Sequence, residues 1–137
     1  MSPSLILCLL PGGYAVSRLD AGAPIPPWAD GEGFVSISRT TTELSILALA
    51  ERVPPSVRSE VGWRALELVG PFPFDAVGVT AAVTQPLAAA GISILLVSTF
   101  DTDVLLVKES HLGRATHELV AAGHRVLTER ARKADVG

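Results

Sequence analysis

Two apolar runs separated by a short polar segment form the most regular pattern in the chain, and they lie within Gly91–Lys108. The first run is rich in β-branched residues, and the six residues Ser98–Asp103 separate it from the second. This pattern predicts two strands joined by a tight connection. The hairpin would place hydroxyls, two carboxylates and one aromatic ring together at the edge of a sheet.

Strand and helix patterns alternate regularly in the second half of the chain. Trp63–Val69 predicts a strand, Ala76–Ala90 and Ser110–Ala122 predict helices, and His124–Leu127 predicts a final strand. With the central hairpin, the order is β-α-β-β-α-β. This order predicts the α+β class and a ferredoxin-like fold, in which two helices cover one face of a four-stranded antiparallel sheet. Because the strands are apolar on both sides, we expect a second copy of the unit or a dimer partner to cover the other face.

The first half of the chain has weaker patterns. Glycine and proline dominate residues 20–33, which predicts a loop in place of a first helix. The predicted elements of this half are strands at Ser4–Leu10, Tyr14–Leu19, Phe34–Ser38 and Leu44–Leu49, and a short helix at Ser56–Val61.

A shift of sixty residues aligns the two halves without a gap. Pro11 then falls on Pro71, Ser38 on Ser98 and Glu43 on Asp103. The matches concentrate at turn residues and in the polar segments of the hairpins, so we predict two related units, of which the first is degraded. The predicted ranges are an N-terminal unit at 1–61, a C-terminal unit at 62–128 and a tail at 129–137.

Composition excludes several functional classes. The 137 residues carry a net charge of −3 and no basic cluster, which argues against nucleic acid as a partner. No apolar run reaches the roughly 20 residues of a membrane helix, so no membrane partner is predicted. The single cysteine, Cys8, permits no intrachain disulfide and is compatible with a cytoplasmic location, which we predict.

The motifs resemble those of small bacterial proteins made of two tandem ACT domains, a family related to the ACT repeats of the animal cytosolic arginine sensor and of aspartate kinases. The residues that carry this resemblance are Arg39–Ile46, Gly62–Arg64, Gly70–Pro71, Phe74–Asp75, Gly78, Gly91–Ile94 and Ser98–Asp103. The resemblance implies a homodimer with edge-to-edge pairing of sheets, and an amino-acid ligand bound between ACT units. One departure is that the Asp-x-Pro-Gly turn of many biosynthetic ACT domains is replaced here by Gly70–Asp75.

The candidate ligand-binding residues lie around the central hairpin and its copy. Carboxylates at Asp101 and Asp103 suit a ligand ammonium, backbone N–H groups near Gly78 suit a carboxylate, and Phe100 suits an apolar or cationic side chain. The resemblance implies ligand contacts at Thr99, Phe100 and Asp103 and, in the first unit, at Ser45 and Ile46. The full predicted set is Ser98, Thr99, Phe100, Asp101, Thr102, Asp103, Phe74, Asp75, Gly78, Ile92, Glu43, Ser45 and Ile46.

Other interpretations of these residues stay open from the sequence. The segment Asp101–Asp103 also fits a simple polar β-turn, and Glu43 fits either a pairing across an interface or a solvated surface position. The histidines at 111, 117 and 124 have spacings of six and seven, which predicts surface side chains and no metal site.

The sequence contains no recognisable catalytic motif and indicates no cofactor. We therefore predict a non-catalytic regulatory protein that binds a small molecule. The alternative is a subunit that pairs with an enzyme of amino-acid metabolism and binds no ligand itself. A small enzyme is the third and least supported hypothesis.

Overall fold

The computed structural model describes residues 3–128, and contacts divide the chain into two compact units. The larger unit comprises Met1–Pro11 together with Arg64–Gly137, and the smaller unit is Gly12–Trp63. This division differs from the predicted ranges 1–61 and 62–128, because the first eleven residues group with the second half of the chain. The predicted tail, 129–137, lies outside the described residues.

Strands dominate the described part of the chain. The helices are α1 at Val79–Ala89 and α2 at Leu112–Ala121, and single 3₁₀ turns lie at Pro27–Ala29, Ala50–Arg52 and Glu109–His111. The strands are β1 at Ile6–Leu9, β2 at Tyr14–Leu19, β3 at Ser36–Arg39, β4 at Leu44–Leu49, β5 at Arg58–Leu68, β6 at Ile94–Ser98, β7 at Asp103–Lys108 and β8 at Arg125–Thr128.

The larger unit has the ferredoxin-like arrangement with one additional strand. Its sheet order is β8–β1–β5–β7–β6, in which β1 is antiparallel to β5 and parallel to β8. Without β1, the order is that of a βαββαβ unit in which the fourth strand lies next to the first. The α+β class and the ferredoxin-like fold are therefore confirmed, while the N-terminal strand is an insertion that the pattern of the second half did not predict.

The core of the larger unit lies between its sheet and its two helices. Branched aliphatic side chains from both layers fill it, in keeping with the scarcity of aromatic residues in the sequence. Its buried members are Leu5, Leu7, Leu66, Leu68, Ala82, Val83, Leu87, Ile92, Leu105, Val107, Ala115 and Leu119. Alternate strand residues such as Cys8, Val104 and Leu106 are also fully buried, so both faces of these strands are shielded from water.

The smaller unit has four strands in the order β3–β4–β2–β5, with neighbours antiparallel. This is the strand order of the larger unit without β1, but each helix is reduced to a three-residue 3₁₀ turn. The prediction that the first helix is absent is thus confirmed. The predicted helix at Ser56–Val61 is wrong, because β5 already begins at Arg58.

A bulge explains why β5 was difficult to predict. Between the pairs Tyr14–Trp63 and Val16–Glu60, β5 contains one residue more than β2. Gly62 lies at this point with a left-handed φ of +85°, a conformation that glycine adopts without steric cost. In the sequence, the glycine indicates the end of an element, whereas in the structure it lies within one strand.

The two hairpins correspond at an offset of 59 residues, which corrects the predicted offset of sixty. The first pair of β3 and β4 is Arg39–Leu44, and the first pair of β6 and β7 is Ser98–Asp103. A shift of one residue moves a side chain to the opposite face of a strand. Leu44, which is fully buried, therefore occupies the hairpin position of Asp103, and Glu43 does not.

A buried histidine compensates for the proline within α1. Pro86 has no N–H, so the carbonyl of Ala82 lacks its usual helical partner. The Nε2 atom of His124 lies 2.7 Å from this carbonyl oxygen, and Nδ1 accepts a hydrogen bond of 3.0 Å from the N–H of Leu5. His124 is only 4% exposed, so its prediction as a surface residue is wrong.

Candidate functional site

A cleft of about 580 Å³ lies in the larger unit, between the loop before α1, the first turns of α1 and the β6–β7 turn. This volume is within the usual range for small-molecule sites. The cleft is lined by Phe72, Pro73, Phe74, Ala76, Gly78, Val79, Thr80, Ala81, Thr84, Ser98, Thr99, Phe100, Asp101, Thr102 and Asp103. Eight of the thirteen predicted site residues are among them.

Backbone hydrogen bonds join the two loops that form the walls of the cleft. The N–H of Phe72 donates to the carbonyl of Asp101 at 2.8 Å, and the hydroxyl of Thr102 donates to the carbonyl of Leu68 at 2.7 Å. Gly70 permits this close approach, because a Cβ atom at that position would lie 2.9 Å from the carbonyl oxygen of Asp101. The walls are therefore positioned by the fold before any ligand binds.

The β6–β7 turn is closed by its own threonines. The N–H of Thr99 donates to the carbonyl of Thr102 at 2.7 Å, and the N–H of Thr102 donates to the hydroxyl of Thr99 at 3.2 Å. The Thr99 hydroxyl thus helps to close the turn, and the Thr102 hydroxyl joins the turn to Leu68 at the end of β5. The interpretation of this segment as a polar turn accounts for its threonines, but it does not account for its carboxylates.

The Asp103 carboxylate is held by one hydroxyl on each oxygen. Ser98 donates to Oδ1 at 2.6 Å from the paired position on β6, and Thr80 donates to Oδ2 at 3.2 Å from the first turn of α1. These contacts fix the direction of the carboxylate without neutralising its charge. No lysine, arginine or histidine is among the cleft residues of the described chain.

Two phenylalanine rings lie at the rim of the cleft. Phe74 and Phe100 make an edge-to-face contact with ring centroids 4.9 Å apart and planes at 86°. They are 78% and 79% exposed, respectively, although rings of this size are usually buried. Exposed rings beside a polar cleft are typical of surfaces that a ligand or partner covers.

Helix α1 begins at the wall of the cleft. Its N-cap is Gly78, which has a left-handed φ of +86° and no side-chain cap, and its first helical hydrogen bond runs from Ala82 N–H to the Gly78 carbonyl. The N–H groups of the first turn have no carbonyl partner within a helix and carry partial positive charge. They supply hydrogen-bond donors to a cleft whose charged side chains are anionic.

The remaining predicted residues lie elsewhere. Asp75 is exposed in the loop beside the cleft but does not line it, and Ile92 is 4% exposed in the core of the larger unit. The other three belong to the smaller unit. There, the Ser45 hydroxyl donates to the Glu43 carboxylate, and Ile46 is fully buried.

Sequence reasoning identified Phe74 and Gly78 but missed other cleft residues of α1 and of the loop before it. Thr80 and Thr84 are four residues apart, which places both on one face of α1. That spacing is the signal in the sequence that places the two threonines together. Phe72 was not predicted as a site residue, yet it lines the cleft and packs against the core.

Among residues 3–128, no three histidine, cysteine, aspartate or glutamate side chains are grouped so that they could hold a metal ion. No helix in this part of the chain is long and apolar enough to cross a membrane.

Comparisons with known proteins agree with this architecture. The sequence model of the ACT domain matches residues 58–120, and a second model, which describes an N-terminal domain, matches residues 12–56. No curated protein matches the chain.

Two solved structures at low identity show the fold alone. One is a Vibrio cholerae protein of unknown function, described as a possible transport protein, with 21% identity, a TM-score of 0.71, and coverage of 88% of this chain and 91% of its own. The other is the regulatory subunit of aspartate kinase from Thermus thermophilus, with 12% identity, a TM-score of 0.58, and coverage of 89% and 99%.

A protein of known structure from Agobacterium tumefaciens is much more similar. It is 47% identical, the match covers 93% of this chain and 96% of that protein, and the TM-score is 0.89. The chain therefore belongs to the same family as this Agobacterium tumefaciens protein, and its residues 58–120 match the ACT domain.

Proposed function

We propose that this chain is a non-catalytic regulatory protein that binds an amino acid in the cleft of its larger unit. The observation that carries the proposal is the Asp103 carboxylate, held by Ser98 and Thr80 in a cleft with exposed aromatic rings at its rim. The ACT domain match spans every cleft residue, which supports a regulatory role.

The groups of the cleft complement those of an amino acid. Carboxylates at Asp101 and Asp103 accept hydrogen bonds from an ammonium group. The N–H groups at the start of α1 donate to a carboxylate, and their position at a helix N-terminus favours negative charge there. The aromatic pair offers apolar surface to the ligand side chain.

The wider organisation is also part of the proposal. We propose that the smaller unit is a second, reduced ACT repeat, because its strands have the order of the larger unit. The exposed edge of β6, which pairs only with β7 among the described strands, supports a homodimer joined by sheet pairing. We also propose that the protein acts in the cytoplasm on an enzyme partner, and the similar fold of a regulatory subunit of aspartate kinase supports a regulatory role.

Calorimetric titration of the full chain with each of the twenty amino acids tests the proposal. We expect one or a few to bind, and the Asp103→Asn variant to weaken that binding by about tenfold, the equivalent of one charge-assisted hydrogen bond. Glu118→Gln on α2, which lies in the same unit outside the cleft, is the matched control. The proposal is contradicted if no amino acid binds, or if both variants weaken binding equally.

A second candidate function is that of an interaction subunit without a ligand. Phe74 and Phe100 lie at the rim, and Val77, three residues after Phe74 in the same loop, is 93% exposed. A protein partner would also cover such exposed apolar side chains. Co-purification with an enzyme of amino-acid metabolism that is unchanged by added amino acids would favour this function. A dependence on amino acids would favour the first.

A further inference from the structure

We propose that the cleft selects its ligand by positive charge and takes a small organic cation, such as a basic amino acid or a diamine. This inference rests on the proposed function that the cleft binds a small molecule, and it specifies the chemical class. A neutral or acidic amino acid would then bind weakly.

The charge balance of the cleft is the first step. Asp101 and Asp103 line it, Asp75 lies exposed in the adjoining loop, and no cationic side chain is among the cleft residues of the described chain. A zwitterionic neutral ligand brings no net charge to offset these carboxylates. A ligand with an additional ammonium or guanidinium group does, and a cleft lined by one sign of charge concentrates the opposite sign.

The state of the Asp103 carboxylate is the second step. A carboxylate offers about four acceptor positions, and the hydroxyls of Ser98 and Thr80 occupy one on each oxygen. The unused positions are open to a donor in the cleft. Both existing donors are neutral hydroxyls, so neither offsets the negative charge of the carboxylate, which can attract a cationic ligand group. The geometry assigns Thr80 as the residue that positions the carboxylate.

The aromatic rim is the third step. The edge-to-face geometry of Phe74 and Phe100 leaves ring surface free, since both rings are highly exposed. A ring face attracts a cation, and the stem of a long cationic side chain packs against apolar surface. The cleft thus provides for both the charge and the apolar stem of such a ligand.

The smaller unit does not repeat this arrangement. The hairpin position of Asp103 is occupied there by Leu44, which is fully buried, and the Glu43 carboxylate accepts a hydrogen bond from Ser45. The first helix, which supplies Thr80 in the larger unit, is reduced to a 3₁₀ turn. We therefore expect the selective site only in the larger unit, with one ligand per chain.

Four probes that differ in charge test the inference by calorimetry on the full chain. They are l-lysine, l-norleucine, which lacks only the side-chain ammonium, l-glutamate, and the diamine cadaverine. We expect l-lysine to bind about tenfold more tightly than l-norleucine, the equivalent of one charge-assisted contact. Its affinity should fall as salt is raised, because exposed charges are screened.

Thr80→Val tests the positioning role with a readout that a merely structural role would not change. The ratio of l-norleucine to l-lysine dissociation constants should fall several-fold in this variant and stay unchanged in Thr116→Val on α2. If Thr80→Val weakens both ligands by the same factor, the positioning role is wrong.

The outcomes separate this inference from the proposed function. Binding of l-lysine more tightly than l-norleucine and l-glutamate, with or without binding of cadaverine, supports charge selection. Binding of cadaverine alone supports it while contradicting an amino-acid ligand. Binding of l-norleucine or l-glutamate at least as tight as that of l-lysine overturns charge selection and leaves the amino-acid site standing. Failure of all four probes and all twenty amino acids overturns both.

Discussion

Individual residues in the β6–β7 turn show how far sequence alone defines the candidate site. The hydroxyls and carboxylates of Ser98–Asp103 were predicted to lie together at a sheet edge, and they line one cleft. Thr80 was not predicted, because its contact with Asp103 crosses 23 residues of sequence. Ile92 was predicted as a ligand contact, but it is only 4% exposed and belongs to the core of the larger unit.

Gly70 allows a sharp prediction at this scale. Gly70→Ala should lower the free energy of unfolding by about 1–3 kcal/mol, the usual cost of overpacking, because the added Cβ would lie 2.9 Å from the carbonyl oxygen of Asp101. Denaturant unfolding measures this change.

Gly113→Ala is the matched control for that experiment. Gly113 lies in α2, and nothing is within 4 Å of a Cβ atom placed there. Alanine should therefore raise stability by about 0.5–1 kcal/mol, since it favours the helix over glycine. If the two substitutions change the free energy of unfolding equally, the close approach of the loops at Gly70 does not contribute to stability.

At the scale of elements, segments with a regular hydrophobic pattern were predictable. The bulge in β5 and the histidine that compensates for Pro86 were not. The strands β2 and β4 match their predicted bounds, and both helices lie within one to three residues of their predicted ends. The long strand β5 was predicted as a short helix followed by a strand. The reason is that Gly62, which lies at its bulge, resembles a glycine that ends an element. Pro86 was correctly predicted within a helix, but its partner His124 is distant in sequence and was invisible to local patterns.

The contact between His124 and α1 predicts an energetic coupling. His124→Leu leaves the Ala82 carbonyl and the Leu5 N–H without their hydrogen bonds, and each buried unpaired group costs about 1–3 kcal/mol. In a Pro86→Ala background, the restored N–H of residue 86 satisfies the Ala82 carbonyl. The loss caused by His124→Leu should then be smaller by about 1 kcal/mol in a double-mutant cycle.

His117→Leu serves as the control, because His117 is exposed on α2. It should change stability by less than about 0.5 kcal/mol, as is usual for surface substitutions. Additive effects of His124→Leu and Pro86→Ala would contradict the compensation between them.

At the scale of the whole molecule, the order of elements was more informative than their exact bounds. The β-α-β-β-α-β pattern predicted the fold of the larger unit, and this fold is confirmed. Neither the insertion of β1 between β8 and β5 nor the 59-residue correspondence of the hairpins was predictable, because both depend on pairings between distant strands. The cleft also depends on tertiary structure, since it is formed by two loops that only the sheet brings together.

The central claim is that the cleft of the larger unit is an amino-acid site, and nuclear magnetic resonance tests it most directly. Backbone amide spectra of the full chain would be recorded during titration with each of the twenty amino acids. We predict that a binding amino acid shifts the amides of residues 72–84 and 98–103, while the Thr40–Glu43 turn of the smaller unit stays unchanged. If no amino acid shifts the amides of the cleft, or if the largest shifts lie in the Thr40–Glu43 turn, the claim is contradicted.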